Sequence, residues 1–404
     1  MIIEPRTWGF LCTTAHPAGC AGNVREQIAA TRRHGLRHDG PRRVLVIGAS
    51  SGYGLAARIT AAFGFGAATL GVFREKPDTA RKPGSAGFYH AAAFEQQASA
   101  AGLVNVSLNA DAFADATKAR AIELVRDDLG GPIDLVIYSL AAPMRTLPDS
   151  GITVHTAIKP IGAAFHGTTI DTDANKLVAI SVEAASDQEI ADTVSVMGGD
   201  DWRRWIDALA AADLLAPDAR TVAFSYLGPA LTWPIYRAGT IGRAKAHLEQ
   251  TVRTLDQSLA RTGFARVAIL KSIVTQASAA IPVIPLYLSV VRRVLREQGL
   301  EETAIDQQNR LFHDFLYPPA GRVPTLDEAG RLRLDERELS APVQDACRAL
   351  WPQLTDANLD TLTDYAGYKR AFLRLYGFAR DDIDYGIDSD TQVVTAFHGV
   401  TPAD

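Results

Sequence analysis

The 404-residue sequence predicts an α/β fold, a doubly wound parallel sheet carrying a helical insertion and a C-terminal helical extension. Three observations predict it. Between about Arg42 and Ser278 short β-rich runs alternate with longer helical patterns, as in a parallel sheet covered by helices on both faces. The runs are apolar throughout, as strands buried on both faces must be. The first of them passes directly into a glycine cluster and then an Ala-rich helical stretch.

In chain order, the predicted strands are Val44–Ile47, Thr69–Phe73, Val104–Leu108, Leu135–Leu140, Thr221–Tyr226 and Val267–Ile273. The gap between the fourth and the fifth is too long for one crossover helix, so about 146–215 is expected to be an insertion with its own helices. Within it, Val196-Met197-Gly198-Gly199 before Trp202 marks a turn into a helix. Beyond Ile281 the chain is charged and helical: Leu288–Glu297 and Leu300–Phe315 read as amphipathic helices and Pro318–Pro324 as a loop. Asp327–Leu334 is expected to form a hairpin and Tyr365–Phe378 a helix. Length alone gives a prior of two or three domains. With no fixed repeat and no low-complexity linker, one large unit with appended helices is the preferred division.

Hydrophobic residues at 47% and charged residues at 22% are ordinary for a globular chain and exclude disorder or a disulfide scaffold. The net charge of -5, with no basic stripe, leaves nucleic-acid binding without an electrostatic footprint. The longest apolar stretch, Ala277 to Val291, is interrupted by Pro282 and Pro285 and falls short of the ~20 residues that a spanning helix needs, so no membrane attachment is expected. The N-terminus lacks the apolar core of a secretory signal, and three sparse cysteines suit a reduced compartment, so a cytoplasmic protein is expected. Cys12 and Cys20 flank His16, but two thiols and one imidazole leave a structural zinc one ligand short, and no metal site is assigned.

Val44–Ile47 runs into Gly48-Ala49-Ser50-Ser51-Gly52-Tyr53-Gly54 and a helix. Gly48 permits the tight turn, Gly52 lets backbone approach a pyrophosphate, and Gly54 permits close packing, with helix N–H groups facing the anion. This makes the sheet Rossmann-type. Its G-x3-G-x-G spacing is the variant of short-chain dehydrogenase/reductase-like enzymes, in which Ser50 and Ser51 can add hydroxyl donors. Arg74-Glu75-Lys76 closes the second strand, and an acid there accepts the ribose hydroxyls of NADH and repels a 2′-phosphate. The flanking Arg74 and Lys76 keep NADPH as the alternative. Asp111-Ala112 and Leu140-Ala141 follow the third and fourth strands, where the cofactor crevice belongs.

After the fifth strand, Tyr236 and Lys245 form a Y-x8-K pair. Nine steps of ~100° on one helix would put them on opposite sides, so both reach one cofactor only if Tyr236 lies at or before the helix start. Pro234 and Gly239 suit such an irregular lead-in. A nearby ammonium lowers a phenol's pKa, which makes Tyr236 a candidate general acid.

The glycine loop, Phe224-Ser225-Tyr226, the Tyr236–Lys245 spacing and Val274-Thr275-Gln276-Ala277-Ser278-Ala279-Ala280-Ile281-Pro282 together resemble the FabV-type enoyl-acyl-carrier-protein reductases, also called trans-2-enoyl-CoA reductases. The likeness extends to Met1-Ile2-Ile3, Ala15-His16-Pro17, Ala157-Ile158-Lys159-Pro160-Ile161-Gly162 and Leu362-Thr363-Asp364-Tyr365-Ala366-Gly367-Tyr368-Lys369. It implies Tyr236 as proton donor, Lys245 on the nicotinamide ribose and Tyr226 as a substrate contact. For the cofactor it implies Gly48, Ala49, Ser50, Ser51, Gly52 and Tyr53 around the phosphates and Arg74 and Glu75 at the adenosine. Asp111 and Ala112 would lie at the adenine, Leu140 and Ala141 at the cofactor ring, and Val274, Thr275 and Gln276 at the nicotinamide end. The chain departs from the family pattern at Arg74, usually Phe, and at Gly87-Phe88-Tyr89-His90, usually Gly-Trp-Tyr-Asn.

The resemblance implies a monomer that reduces the C2=C3 bond of enoyl-acyl-carrier-protein or enoyl-CoA with NADH in fatty acid biosynthesis. Hydride adds to C3, Tyr236 donates to the enolate oxygen, and Ala277–Val291 lines an acyl tunnel or is a buried structural helix. Residues 42–278 would be the dinucleotide-binding core and 279–404 the substrate-covering helices and extension. The alternatives are a short-chain carbonyl or alcohol dehydrogenase and a non-catalytic NAD-binding regulator.

Overall fold

The computed structural model describes residues 1–79, 82–259 and 263–400. Its centre is a parallel sheet of seven strands: β1 (Arg43–Ile47), β2 (Ala68–Phe73), β3 (Asn105–Asn109), β4 (Ile133–Tyr138), β5 (Leu215–Ser225), β6 (Phe264–Ile269) and β7 (Leu332–Arg333). They lie in the order β7-β6-β5-β4-β1-β2-β3. The order reverses beside β1, which opens a crevice at the carboxyl ends of β1 and β4. Val44, Leu45, Val46 and Ile47 are fully buried, as the unbroken apolar run requires.

Helices cover both faces. On one, α4 (Asp115–Asp127), α6 (Asp200–Ala211) and α7 (Thr240–Ser258) bury Leu124, Trp202, Trp205 and Leu248 against Leu45, Val136 and Val267. On the other, α2 (Gly52–Ile59) and a π-helical turn, Leu311–Leu316, that continues α10 (Ala304–Arg310) place Ala57, Leu311 and Phe312 against Val44, Val46 and Ile137. A further layer joins α1 (Pro17–Arg32) and α3 (Ala86–Ala100) to the C-terminal elements α9 (Ile284–Glu297), α11 (Ala341–Leu350) and α13 (Tyr365–Arg374). The Leu362–Lys369 segment docks α13 there: the Asp364 N–H donates to the Ser289 carbonyl at 2.8 Å, and its carboxylate pairs with Arg296 at 2.9 Å. Pro160 and Gly239 form a bridge, and the Thr240 N–H donates to the Lys159 carbonyl at 3.0 Å, so the Ala157–Gly162 segment clamps the start of α7.

Three expectations need correction. Asp327–Leu334 is not a hairpin: a turn at Asp327–Gly330 delivers Leu332–Arg333 as β7, parallel to β6. The expected insertion holds α5 (Asp187–Met197) and α6, but also two hairpins, Met144–Thr146 with Thr153–His155 and Phe165–Asp171 with Lys176–Val182. Strand β6 ends at Ile269, because the Lys271 N–H turns away to the Gln307 side chain at 3.1 Å.

Candidate active site

The glycine loop behaves as its residues dictate. Gly48 has φ +86, and a Cβ there would sit 2.2 Å from the Ser139 carbonyl oxygen at the end of β4, so only glycine lets the two strand ends approach. Gly52 opens α2 at φ +53, and its missing Cβ faces open space, with the Thr275 methyl nearest at 3.7 Å. Ser51 stands at the N-cap with no side-chain bond to the helix. The first-turn N–H groups and the helix dipole therefore face outward toward an anion. A cleft of about 1260 Å³ begins here, lined by Ser51, Gly52, Arg74, Glu75, Thr275 and Gln276 among others. A glycine cradle at a helix N-terminus, opening on a dinucleotide-sized cleft with an acid in its wall, fits a dinucleotide.

Glu75 is anchored. Its Oε1 accepts from Ser50 Oγ at 2.7 Å and its Oε2 from Ser85 Oγ at 2.5 Å, while its main-chain N–H donates to Asn109 Oδ1 at 2.8 Å. Ser50 thus donates to Glu75. The carboxylate keeps lone pairs for ribose hydroxyls, since it offers about four acceptor sites. Arg74 is exposed and pairs with Asp111 at 3.0 Å. Ala112 is fixed from below: its carbonyl accepts from Lys118 Nζ at 3.0 Å and Trp205 Nε1 at 3.1 Å. Leu140 and Ala141 follow β4 beside Gly48. At the departure from the family pattern, the Phe88 ring meets that of Phe397 at 5.6 Å, and burial pushes His90 down to about 4.

Helix α7 begins at Thr240, so Tyr236 precedes it, in an irregular turn where its N–H donates to the Thr232 carbonyl at 2.9 Å. This is the geometry that the nine-residue spacing required. Tyr236 is buried and its hydroxyl makes no hydrogen bond among the described residues; burial raises its pKa, so the phenol stays protonated at neutral pH. The expectation that Lys245 lowers that pKa does not hold here, because desolvation governs the phenol. Lys245 itself is pushed down to about 8 by burial, opposed by Glu249, and its Nζ donates to the Phe224 carbonyl at 3.4 Å.

Phe224 joins the parts. Its ring meets Tyr53 of the glycine loop edge-on at 6.2 Å, and Tyr53 donates to the Lys271 carbonyl at 2.9 Å. The next aromatic, Tyr226, meets the Tyr236 ring edge-on at 5.1 Å. Thr275 caps the short helix Gln276–Ala279, and together with Val274 and Gln276 it lines the cleft opposite Gly52. The cleft lining does not include Gly48, Ala49, Ser50, Tyr53, Asp111, Ala112, Leu140, Ala141, Tyr226, Tyr236 or Lys245. Ala277–Val291 divides: Ala277 is exposed, whereas Ile284 through Val291 are buried, with Leu288 among them in the cleft lining.

One residue escaped the sequence reading. Glu338 is fully buried between β7 and α11, and its carboxylate accepts from Tyr226 Oη at 2.8 Å, Tyr287 Oη at 2.7 Å, Ser272 Oγ at 2.8 Å and the Ser272 N–H at 2.6 Å. No sequence signal marks it, because its donors lie far away in the chain.

Residues 82–317, more than half of the chain, match the family profile of the trans-2-enoyl-CoA reductase catalytic region. Residues 2–80 match the NAD(P)H binding domain of trans-2-enoyl-CoA reductase, and 326–388 a profile described as an enoyl reductase FAD binding domain. The first two divide what is one hydrogen-bonded sheet, since β2 pairs with β3 across that boundary. Within 326–388 the residues do not fit a flavin site of their own: a two-residue strand leads to no glycine loop, Gly377 is packed against the His16 carbonyl, and Val343, Cys347, Tyr365 and Tyr368 are core. Among similar proteins is an enoyl-acyl-carrier-protein reductase (NADH) of Xanthomonas oryzae pv. oryzae, 58% identical over 97% of this chain and 98% of that one. One of Pseudomonas putida is 57% identical with the same coverage. The trans-2-enoyl-CoA reductase of Treponema denticola, solved in complex with NAD, superposes with a TM-score of 0.93 at 44% identity, covering 96% of this chain and 98% of that one. That of Clostridium acetobutulicum, solved with NADH, does so at 0.93 and 39% identity, covering 97% and 98%.

Proposed function

The chain belongs to the trans-2-enoyl-CoA reductase family, and on that premise we propose that Tyr236 and Lys245 carry out its NADH-dependent reduction of the C2=C3 bond of enoyl thioesters. Bound NADH supplies the hydride that adds to C3. The chain's own residues manage charge. Gly48, Ala49, Ser50, Ser51, Gly52 and Tyr53 hold the pyrophosphate at the α2 N-terminus, and Arg74, Glu75, Asp111 and Ala112 hold the adenosine. Leu140, Ala141, Val274, Thr275 and Gln276 flank the nicotinamide end.

As C3 is reduced, negative charge develops on the thioester oxygen. Tyr236, kept protonated by burial, donates to that oxygen, and the Lys245 ammonium keeps the local field positive. Both act more strongly on the developing enolate than on the neutral substrate, which is what lowers the barrier. Protonation at C2 completes the reduction. The single observation that carries this reading is the hydroxyl of the buried residue Tyr236, free of hydrogen-bond partners among the described residues, just ahead of the helix that bears Lys245.

The carrier is acyl carrier protein or CoA, and the enzyme acts as a cytoplasmic monomer in fatty acid biosynthesis; among the described residues no helix is long and apolar enough to cross a membrane. It works as one unit over 1–404, with the core at 42–278 and the extension at 279–404; β7 from the extension joins the core sheet, which supports the single unit. The test is oxidation of NADH and of NADPH with crotonyl-CoA and acetoacetyl-CoA side by side. Turnover of crotonyl-CoA with NADH is expected; turnover of the ketone alone would overturn the reading.

A further inference from the structure

Four hydrogen bonds converge on the Glu338 carboxylate, and among the described residues no ion pair reaches it, whereas two other buried carboxylates each have one: Asp201 has Lys118 at 2.8 Å, and Glu302 has Arg310 at 3.0 Å. Burying a carboxylate costs several kcal/mol, and a well-packed apolar side chain would serve stability as well. What the carboxylate supplies is direction. Its donors come from three elements that meet at the carboxyl ends of the strands: Tyr226 after β5, Ser272 after β6 and Tyr287 in α9. Gln344 of α11 braces the group from behind, donating to the Glu338 carbonyl at 2.7 Å and to Tyr287 Oη at 3.1 Å.

We infer that Glu338 is a positioning residue for the reduction. By accepting the Tyr226 hydroxyl proton it fixes the ring against which the Tyr236 ring rests, and by accepting both Ser272 donors it pins the root of the Val274–Gln276 segment. A consequence follows for Tyr226: its proton is committed to Glu338, so it meets substrate as a wall and leaves Tyr236 as the phenol that donates to the thioester oxygen. The inference rests on the proposed role of Tyr236.

The experiment uses the full chain with NADH and crotonyl-CoA, and compares wild type, E338Q, Y226F, the double variant and Y236F. Three of the four donors meet Oε1 and the Ser272 N–H meets Oε2, so a Gln at 338 keeps the side chain's shape but sets an amide donor either against the Ser272 N–H or against the three hydroxyls, and the network that holds Tyr226 and Ser272 loosens either way. The expected result for E338Q and Y226F is a kcat lower by about 10-fold to 100-fold, the scale of a misplaced reacting group. KM for crotonyl-CoA changes less, and the double variant is no worse than the poorer single, because both act through the one network centred on Glu338. A merely structural role predicts a lower melting temperature with wild-type kcat in the folded protein, or losses that multiply in the double variant; either result overturns the inference. If E338Q fails to fold, Y226F decides, since it removes one hydroxyl and keeps the ring: an unchanged kcat overturns the inference. An active Y236F would instead sink the tyrosine mechanism itself, whereas an inactive Y236F beside unimpaired E338Q and Y226F sinks only the positioning role.

Discussion

Substituting Ala for Gly52 separates what the glycine loop does for the fold from what it does for a ligand. At φ +53 an Ala pays the left-handed penalty of about 1–2 kcal/mol, but its methyl meets only the Thr275 methyl at 3.7 Å, an ordinary contact. With an unfolding entropy of ~2.1 cal/mol/K per residue, the 404-residue chain loses roughly 0.85 kcal/mol per degree, so the melting temperature should fall by only about 1–2 °C. The methyl nevertheless stands where the pyrophosphate approaches the α2 N-terminus. Loss of a hydrogen bond to a charged group is worth ~1.5–3 kcal/mol, so the Kd for NADH should rise by about 10-fold to 100-fold. Fluorescence titration of NADH beside a thermal melt reads both quantities. G48A is the contrast: at φ +86 with a backbone oxygen 2.2 Å from the new Cβ, it should lose about 3 kcal/mol or more of stability. An NADH Kd for G52A within twofold of wild type, in a folded protein, would refute the assignment of this loop to the pyrophosphate.

Two further outcomes follow from the interior. Lys245, pushed by burial down to about 8, is charged at pH 7 and neutral by pH 9, while Tyr236 is raised and does not titrate in that window; turnover should therefore fall about tenfold from pH 7 to pH 9, and a flat pH–rate profile would contradict the role of the ammonium. Arg58 is fully buried with no carboxylate, donating to Thr69 Oγ1, Ser107 Oγ and the Val106 carbonyl and lying 4.3 Å from the centre of the Phe94 ring. R58M should cost about 3 kcal/mol, roughly 3–4 °C in a melt, by leaving those acceptors unpaired, and a melt within one degree of wild type would refute that count.

Local rules made much of this legible. Val44–Ile47 followed by Gly48 fixed both the first strand and its turn, because only glycine survives beside the Ser139 carbonyl. Helical geometry put Tyr236 ahead of α7 from the spacing alone. Other features were hidden for a physical reason. Strand β7 is two residues long and carries no periodicity, and its place beside β6 is decided by packing. The hairpin strand Phe165–Asp171 alternates in exposure, a period-two signal that the search for fully buried runs passes over. Glu338 sits in an ordinary charged stretch, and only the fold brings Tyr226, Ser272 and Tyr287 to it. The direction of the Tyr236 shift also needed the structure, since desolvation and a nearby ammonium act oppositely and sequence cannot weigh them.

The most direct test of the central claim is Y236F, measured twice on one preparation: the Kd for NADH, and the steady-state reduction of crotonyl-CoA. A phenol that donates to the thioester oxygen and does not hold the cofactor predicts a Kd within about twofold of wild type and turnover lower by about 10²-fold to 10⁴-fold, the range of a lost general acid. Turnover that survives the loss of that hydroxyl, or a Kd that rises in step with the lost rate, would contradict it.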